Sequence, residues 1–200
     1  MVMRFFIVFI FNRLSVTSMT SLISNRLQII PLSLSDLEQL SISRAALETA
    51  RCLDLSHFEL KADARFMAEF DEALAHFVIP NLIAHPDRWV WYTHWLVVHR
   101  ELNLTIGGLG MAGPPDADGQ IMIGYFMDRK FEGKGYTTEA VNCFLDWIFE
   151  QPDVKTVIAD TLREFNASQR VLQKTGFTFV GEVEEGVRWR KSRPDHPVQV

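Results

Sequence analysis

With 200 residues, 48% of them hydrophobic and 22% charged, the chain is long enough for one domain with a real core and ordinary in composition for a globular protein. A formal net charge of −5 argues against a nucleic-acid binder, whose footprint is basic. The two cysteines, Cys52 and Cys143, form no metal or redox spacing, which argues against a disulfide framework and for a reducing cytoplasm with no resident metal.

The apolar run Phe5–Phe11 is far short of the ~20 residues that a spanning helix needs, so no membrane partner is expected. It reads either as the core of a signal peptide or as an over-extended start, with translation beginning near Met19. Arg13 follows the run after only Asn12 and no small-residue cleavage site is seen, which favours the second. Residues 1–24 are expected to be disordered or loosely attached, and residues 25–200 to form a single domain.

Residues 27–32 read as a first strand. Ser35, with Glu38 three residues on, is expected to cap a short helix. Phe66, Phe70, Leu74, Phe77 and Val78 fall at helical spacing and predict a helix over 62–78, with Asp63, Glu69, Asp71 and Glu72 mostly on another face and Pro80 and Pro86 breaking it. Residues 95–99 and 104–111 predict a hairpin, and the cluster 113–119 a turn before a strand over 120–128. A helix over 138–150 carries Val141, Phe144, Leu145, Ile148 and Phe149 on one stripe. A strand over 155–161, a helix over 168–174 ended by Gly176, and strands over 177–183 and 187–191 follow. Antiparallel strands come first and a strand–helix–strand crossover follows, which should be right-handed and make its two strands parallel. The class is mixed α/β: a largely antiparallel sheet with one parallel junction and flanking helices.

A G-x-G-x-x-G pattern occurs at Gly108–Gly113, but Pro114-Pro115 stands where a dinucleotide-binding helix would have to begin. The stretch reads instead as a strand with small residues ending in a turn. The informative loop is Gly133-Lys134-Gly135-Tyr136-Thr137-Thr138, between a strand and a helix. Amides at a helix start have no intrahelical partner, and glycine lets the backbone approach an anion closely. The loop therefore reads either as a diphosphate cradle or as an ordinary tight connection capped by Thr137 or Thr138.

Beyond the next strand comes Asn166-Ala167-Ser168-Gln169-Arg170-Val171-Leu172-Gln173-Lys174-Thr175-Gly176-Phe177. Together with Gly124-Tyr125, the glycine loop and Thr138-Glu139-Ala140, this resembles the GNAT N-acetyltransferase superfamily, closest to its RimJ/RimL-like branch, over roughly residues 25–192. The resemblance implies a twisted sheet whose parallel strands splay apart, with acetyl-CoA as co-substrate between them. It implies that pantetheine pairs with backbone near Phe126 and Met127, that diphosphate sits on the amides of Gly133, Lys134, Gly135, Tyr136, Thr137 and Thr138, and that an amine attacks the thioester directly. It also makes Asn166 a cofactor contact, although the family's asparagine aligns on Phe165; Asn166 with Gln169 reads equally as a helix capping box.

Four departures stand out. Glu132 places a carboxylate, and Thr137 extra bulk, where the family pattern has a cation or amide and a small residue. The tyrosine that many members use as acid toward the thiolate is Leu172 here, and the usual strand glutamate is replaced by Gln120 and Met122. RimJ/RimL-like members are thought to use the serine matching Ser168. Base candidates are Glu182, Glu184, Glu185, His94 and His99, of which Glu182 is taken as the catalytic one. The cluster Trp89, Trp91, Tyr92 and Trp95 reads as core packing or as an aromatic wall for a cationic amine. Neutralising an α-amine at pH 7 costs roughly 1 kcal/mol, against about 4.6 kcal/mol for lysine. A site without a strand carboxylate should thus prefer a small-molecule amine or a protein N-terminus. A non-catalytic acyl-CoA sensor is the contrary reading, and the protein is expected to be a monomer or homodimer.

Overall fold

The computed structural model describes residues 21–59, 70 and 72–194. Its strands are β1 (Leu22–Ile23), β2 (Leu27–Pro31), β3 (His94–His99), β4 (Leu104–Met111), β5 (Gln120–Met127), β6 (Thr156–Thr161), β7 (Thr178–Val183) and β8 (Gly186–Ser192). They form one sheet in the order β1-β2-β3-β4-β5-β6-β8-β7, in which only β5 and β6 run parallel. The sheet takes in Leu22–Ile23, ahead of the boundary expected at residue 25. Phe66, Asp63, Glu69, Asp71 and the run Phe5–Phe11 lie outside the described residues.

Both sheet faces are covered, so its central strands are apolar on both sides. On one face lies α4 (Tyr136–Glu150), labelled after α1 (Leu34–Ile42), α2 (Arg44–Ala50) and α3 (Ile79–Ala84) on the other. Helix α4 buries Val141, Phe144, Leu145 and Ile148, spaced i, i+3, i+4 and i+7, against Trp95, Ile123, Val157 and other sheet residues. The Trp91, Trp95, Phe144 and Trp147 rings pack in this core, with Trp95 and Phe144 centroids 5.1 Å apart. The tryptophan cluster is therefore core packing, and the rings of Trp91 and Trp95 are closed to an amine.

Three local readings are corrected. Helix α1 is capped by Ser33, not Ser35: Asp36 accepts from the Ser33 backbone N–H at 2.7 Å and the Ser33 hydroxyl from the Asp36 N–H. Asp36 wins because its short carboxylate also takes the Arg51 guanidinium. Pro80 does not end the second helical segment. A wide π-turn over Leu74–Val78 precedes it, and α3 carries on to Ala84 with proline near its start, where a missing N–H costs nothing. The Asn166–Gln169 capping box does not form, because α5 (Asn166–Lys174) already begins at Asn166. Gln169 Nε2 instead donates to Arg163 O at 2.9 Å. The expected stop at Gly176 is there: φ is 83°, Phe177 N–H donates to Leu172 O and Gly176 N–H to Gln173 O.

Candidate active site

Parallel pairing between β5 and β6 is brief. Gly119 O accepts from both Lys155 and Thr156 N–H, and three residue pairs follow, ending at Met122↔Ile158. Strand β5 then runs on to Met127 and β6 to Thr161 without each other. A gap opens between two strands still held on their outer sides, β5 by β4 and β6 by β8.

Strand alternation decides which backbone groups face this gap. Asp128 N–H donates to Ile106 O at 2.8 Å, and Met122 O accepts from Ala112 N–H at 3.1 Å. Even-numbered residues of β5 thus turn N–H and C=O toward β4, and Ile123, Tyr125 and Met127 turn theirs toward the gap. Phe126 gives its backbone to β4 and its ring to the far face of the sheet. There it packs edge-on against Phe58 and Phe70, with centroids 5.9 and 6.3 Å away.

At the end of β5, Asp128 Oδ1 accepts from Lys130 N–H at 2.9 Å and starts the turn into the glycine loop. Gly133 and Gly135 take φ of 72° and 82°, a region costly to residues with a Cβ. Gly135 stands at the N-cap of α4 with no side-chain cap. Among the described residues, the amides of Gly133, Lys134, Gly135, Tyr136, Thr137 and Thr138 have no hydrogen-bond partner. A Cβ at Gly133 would meet nothing within 4 Å, so the space beside this glycine is open. Thr137 and Thr138 do not cap the helix, and Glu132 is exposed.

The loop is braced from behind. Glu139 accepts from Ser24 Oγ at 2.8 Å, Arg26 N–H at 2.7 Å and Arg26 Nε at 2.7 Å. Burial would raise the Glu139 carboxyl, but these donors outweigh it and hold it below the usual range. The Arg26 guanidinium lies 4.1 Å over the Tyr136 ring and reaches Lys134 O at 3.2 Å. His99 Nδ1 accepts from Leu102 N–H, so Nε2 carries the proton and donates to Tyr136 Oη at 3.1 Å. His99 is thereby committed to bracing the loop.

Across the gap, the Ser168 hydroxyl on α5 lies 2.9 Å from Tyr125 Oη, which also reaches Ser168 O at 3.1 Å. Burial pushes the Tyr125 phenol up to about 12, partly countered by its bond to Ser168. Leu172 is fully buried in the core. Sequence reasoning took Tyr125 only as half of the Gly124-Tyr125 pattern; it lies three residues beyond the last β5–β6 pair, Met122↔Ile158, which only the fold reveals.

Glu182 is not brought to this gap. It lies on β7, the far edge of the sheet, and pairs with Arg163 at 2.5 and 2.7 Å. That guanidinium holds its carboxyl below the usual range, so Glu182 has neither the place nor the basicity expected of it. Glu184 and Glu185 are exposed in the β7–β8 turn, and Asn166 is exposed at the first turn of α5. Lys134 Nζ turns back to Lys130 O at 2.8 Å.

On the sheet face opposite α4, Leu32, Leu40, Phe70, His94, Gly108 and Phe126 line a pocket with Arg44. A Cβ at Gly108 would lie 2.5 Å from the Phe126 ring, which accounts for one glycine of the G-x-G-x-x-G stretch. His94 stacks on Phe70 at 4.8 Å, and among the described residues its Nε2 has no partner. Burial lowers its pKa to about 4, so it is neutral at pH 7. Among the described residues no cluster of potential metal ligands occurs and no helix is long and apolar enough to cross a membrane.

Residues 26–178 match the family model of the acetyltransferase (GNAT) domain. The uncharacterised N-acetyltransferase YjdG of Bacillus subtilis (strain 168) is 26% identical over 122 residues, covering 61% of this chain and 71% of that protein. The probable N-acetyltransferase YjcK of the same organism is 36% identical over 76 residues, 38% of this chain and 42% of that protein. Two solved structures share the fold. A ribosomal-protein-S5-alanine acetyltransferase from Vibrio fischeri has a TM-score of 0.61 at 20% identity, covering 88% of this chain and 98% of that one. The ribosomal L7/L12 α-N-protein acetyltransferase RimL, in complex with coenzyme A, has a TM-score of 0.60 at 16% identity, covering 86% and 97%.

Proposed function

The chain belongs to the acetyltransferase (GNAT) domain family and is an N-acetyltransferase, and from that premise we propose that it moves an acetyl group from acetyl-CoA to a primary amine by direct attack. The carrying observation is the run of unpartnered amides from Gly133 to Thr138, at the start of α4 and beside the β5–β6 gap. Six donors without acceptors, with the positive end of a 15-residue helix behind them, suit a diphosphate. The open space beside Gly133 is consistent with it.

Acetyl-CoA would supply the thioester. Ile123, Tyr125 and Met127 present edge groups to a pantetheine arm, and the Met127 amide faces the place where a carbonyl oxygen would gain charge. Ser168 would donate a hydrogen bond to the departing sulfur. A thiol near 8.5 leaves without a strong acid, so positioning of the amine against the thioester carries most of the rate. The pocket of Phe126, Phe70 and His94 is the acceptor side. His94 is too weak a base to deprotonate an ammonium group and serves as a neutral wall group there.

The acceptor we favour is a low-pKa primary amine on a small molecule or a peptide N-terminus, since among the described residues no carboxylate base is brought to the gap to deprotonate lysine. The solved structures of the same fold include enzymes whose names give a ribosomal-protein acceptor, and others with aminoglycosides bound. The test is thiol release from acetyl-CoA with a panel of amines and peptides. Turnover on any amine supports the reading. Tight acetyl-CoA binding with no turnover on the panel supports a sensor, and no binding at all overturns the cradle.

A further inference from the structure

Tyr125 is the described residue whose side chain touches Ser168 across the gap, and it offers one proton to two acceptors. We propose that Tyr125 is the positioning residue for Ser168: its hydroxyl, shared between the Ser168 carbonyl and hydroxyl, releases the serine O–H to face the leaving sulfur. The inference rests on the proposed transfer with Ser168 beside that sulfur.

Two arrangements are available without moving a heavy atom. In the first, Tyr125 donates to Ser168 O at 3.1 Å, and the Ser168 O–H donates back to Tyr125 Oη at 2.9 Å. The serine then has no proton to spare. In the second, the Ser168 O–H turns to the sulfur and the Tyr125 O–H swings to Ser168 Oγ. A hydroxyl that accepts a hydrogen bond is a stronger donor itself, so the second arrangement strengthens as charge develops on sulfur.

Neither side chain forms or breaks a covalent bond. The electron pair of the C–S bond goes to sulfur, and the sulfur's proton comes from the amine that has attacked. Tyr125 cannot be the source of that proton. With burial pushing its phenol to about 12 and a thiol near 8.5, net transfer lies more than ~1000-fold uphill. Its place in the fold is fixed by β5, held by the Leu109↔Tyr125 pairing, so the hydroxyl is aimed by rigid sheet and not by a loop.

The experiment is a double-mutant cycle on Tyr125→Phe and Ser168→Ala, with kcat, KM for acetyl-CoA, acetyl-CoA affinity by titration and the thermal midpoint measured for each. Y125F should lower kcat about tenfold with KM and affinity within twofold, and the double variant should match S168A. The kcat–pH profile of the wild type should show no alkaline limb below pH 10 that Y125F removes. Unchanged kcat in Y125F, a double variant as slow as the product of the two single effects, or such a limb overturns the inference. Full activity in S168A sinks the serine's role itself, a separate outcome. If Y125F does not fold, 3-fluorotyrosine at position 125 keeps ring and hydroxyl and makes a stronger donor. It should raise kcat, and an unchanged or lower kcat overturns the proposal.

Discussion

Glu139 takes both the backbone N–H and the Nε of Arg26, each at 2.7 Å, and so ties the first turn of α4 to the β1–β2 hairpin. Glu139→Gln keeps the shape and removes the charge. Hydrogen bonds to charged groups contribute about 1.5–3 kcal/mol, and Arg26 is more than one-third exposed, so the loss should sit near the lower figure. KM for acetyl-CoA should rise several-fold with kcat little changed. Because the folded-state carboxyl is held below its ordinary 4.5, its contribution is complete above that pH and is lost as pH falls through the folded value. Denaturant titrations should therefore show wild type and E139Q converging as pH falls through the lowered folded-state value.

Gly135→Ala places a Cβ at φ 82°. The left-handed conformation costs a residue with a side chain roughly 1–2 kcal/mol. The helix start should shift to relieve it, turning amides out of the cradle. The expected result is a rise in KM for acetyl-CoA of tenfold or more, and a thermal midpoint lowered by a few degrees. A variant with unchanged KM would separate this loop from coenzyme binding.

His94 is neutral in the fold with a pKa of about 4, against an ordinary 6.5. The unfolded chain binds the proton first, so stability is complete above pH 6.5 and declines as pH falls toward 4, by up to about 3 kcal/mol. His94→Phe should flatten the urea-determined stability profile between those limits. If wild type and H94F keep parallel profiles, His94 is not buried neutral.

A peptide with a free N-terminus and one internal lysine should be acetylated at the α-amine first. Neutralising the two at pH 7 differs by about 3–4 kcal/mol, which no carboxylate among the described residues at the gap offsets. Mass mapping of the product over time checks it, and earlier acetyl-lysine would reverse the acceptor preference.

The crossover was legible because it rests on local patterns, the α4 stripe Val141, Phe144, Leu145 and Ile148 and the glycines of the loop before it, whereas the splay was implied only by the family resemblance. The brace was not. Ser24 and Glu139 are 115 residues apart, and nothing in either neighbourhood names the other. Glu182 misled for the same reason. Its position after Gly181 suggested a site edge, but the strand order puts β8 and β6 between it and the gap. Ser35 was read as the cap because Glu38 follows it at capping distance, but Asp36 stands equally far from Ser33, and Arg51 decides for Ser33 from outside the helix. Tyr125 could be placed on a strand, but its partner on α5 emerges only when the crossover closes.

The fastening of α4 by Ser24 and Arg26 has a consequence for the order in which the molecule is built. A knot between the opening hairpin and a helix 115 positions downstream must wait until the intervening strands have collapsed, since so long a loop is entropically expensive to close early. On the proposed function, competence to hold coenzyme would be acquired late on the folding route, and a chain arrested before Glu139 docks would have a finished hairpin and no cradle.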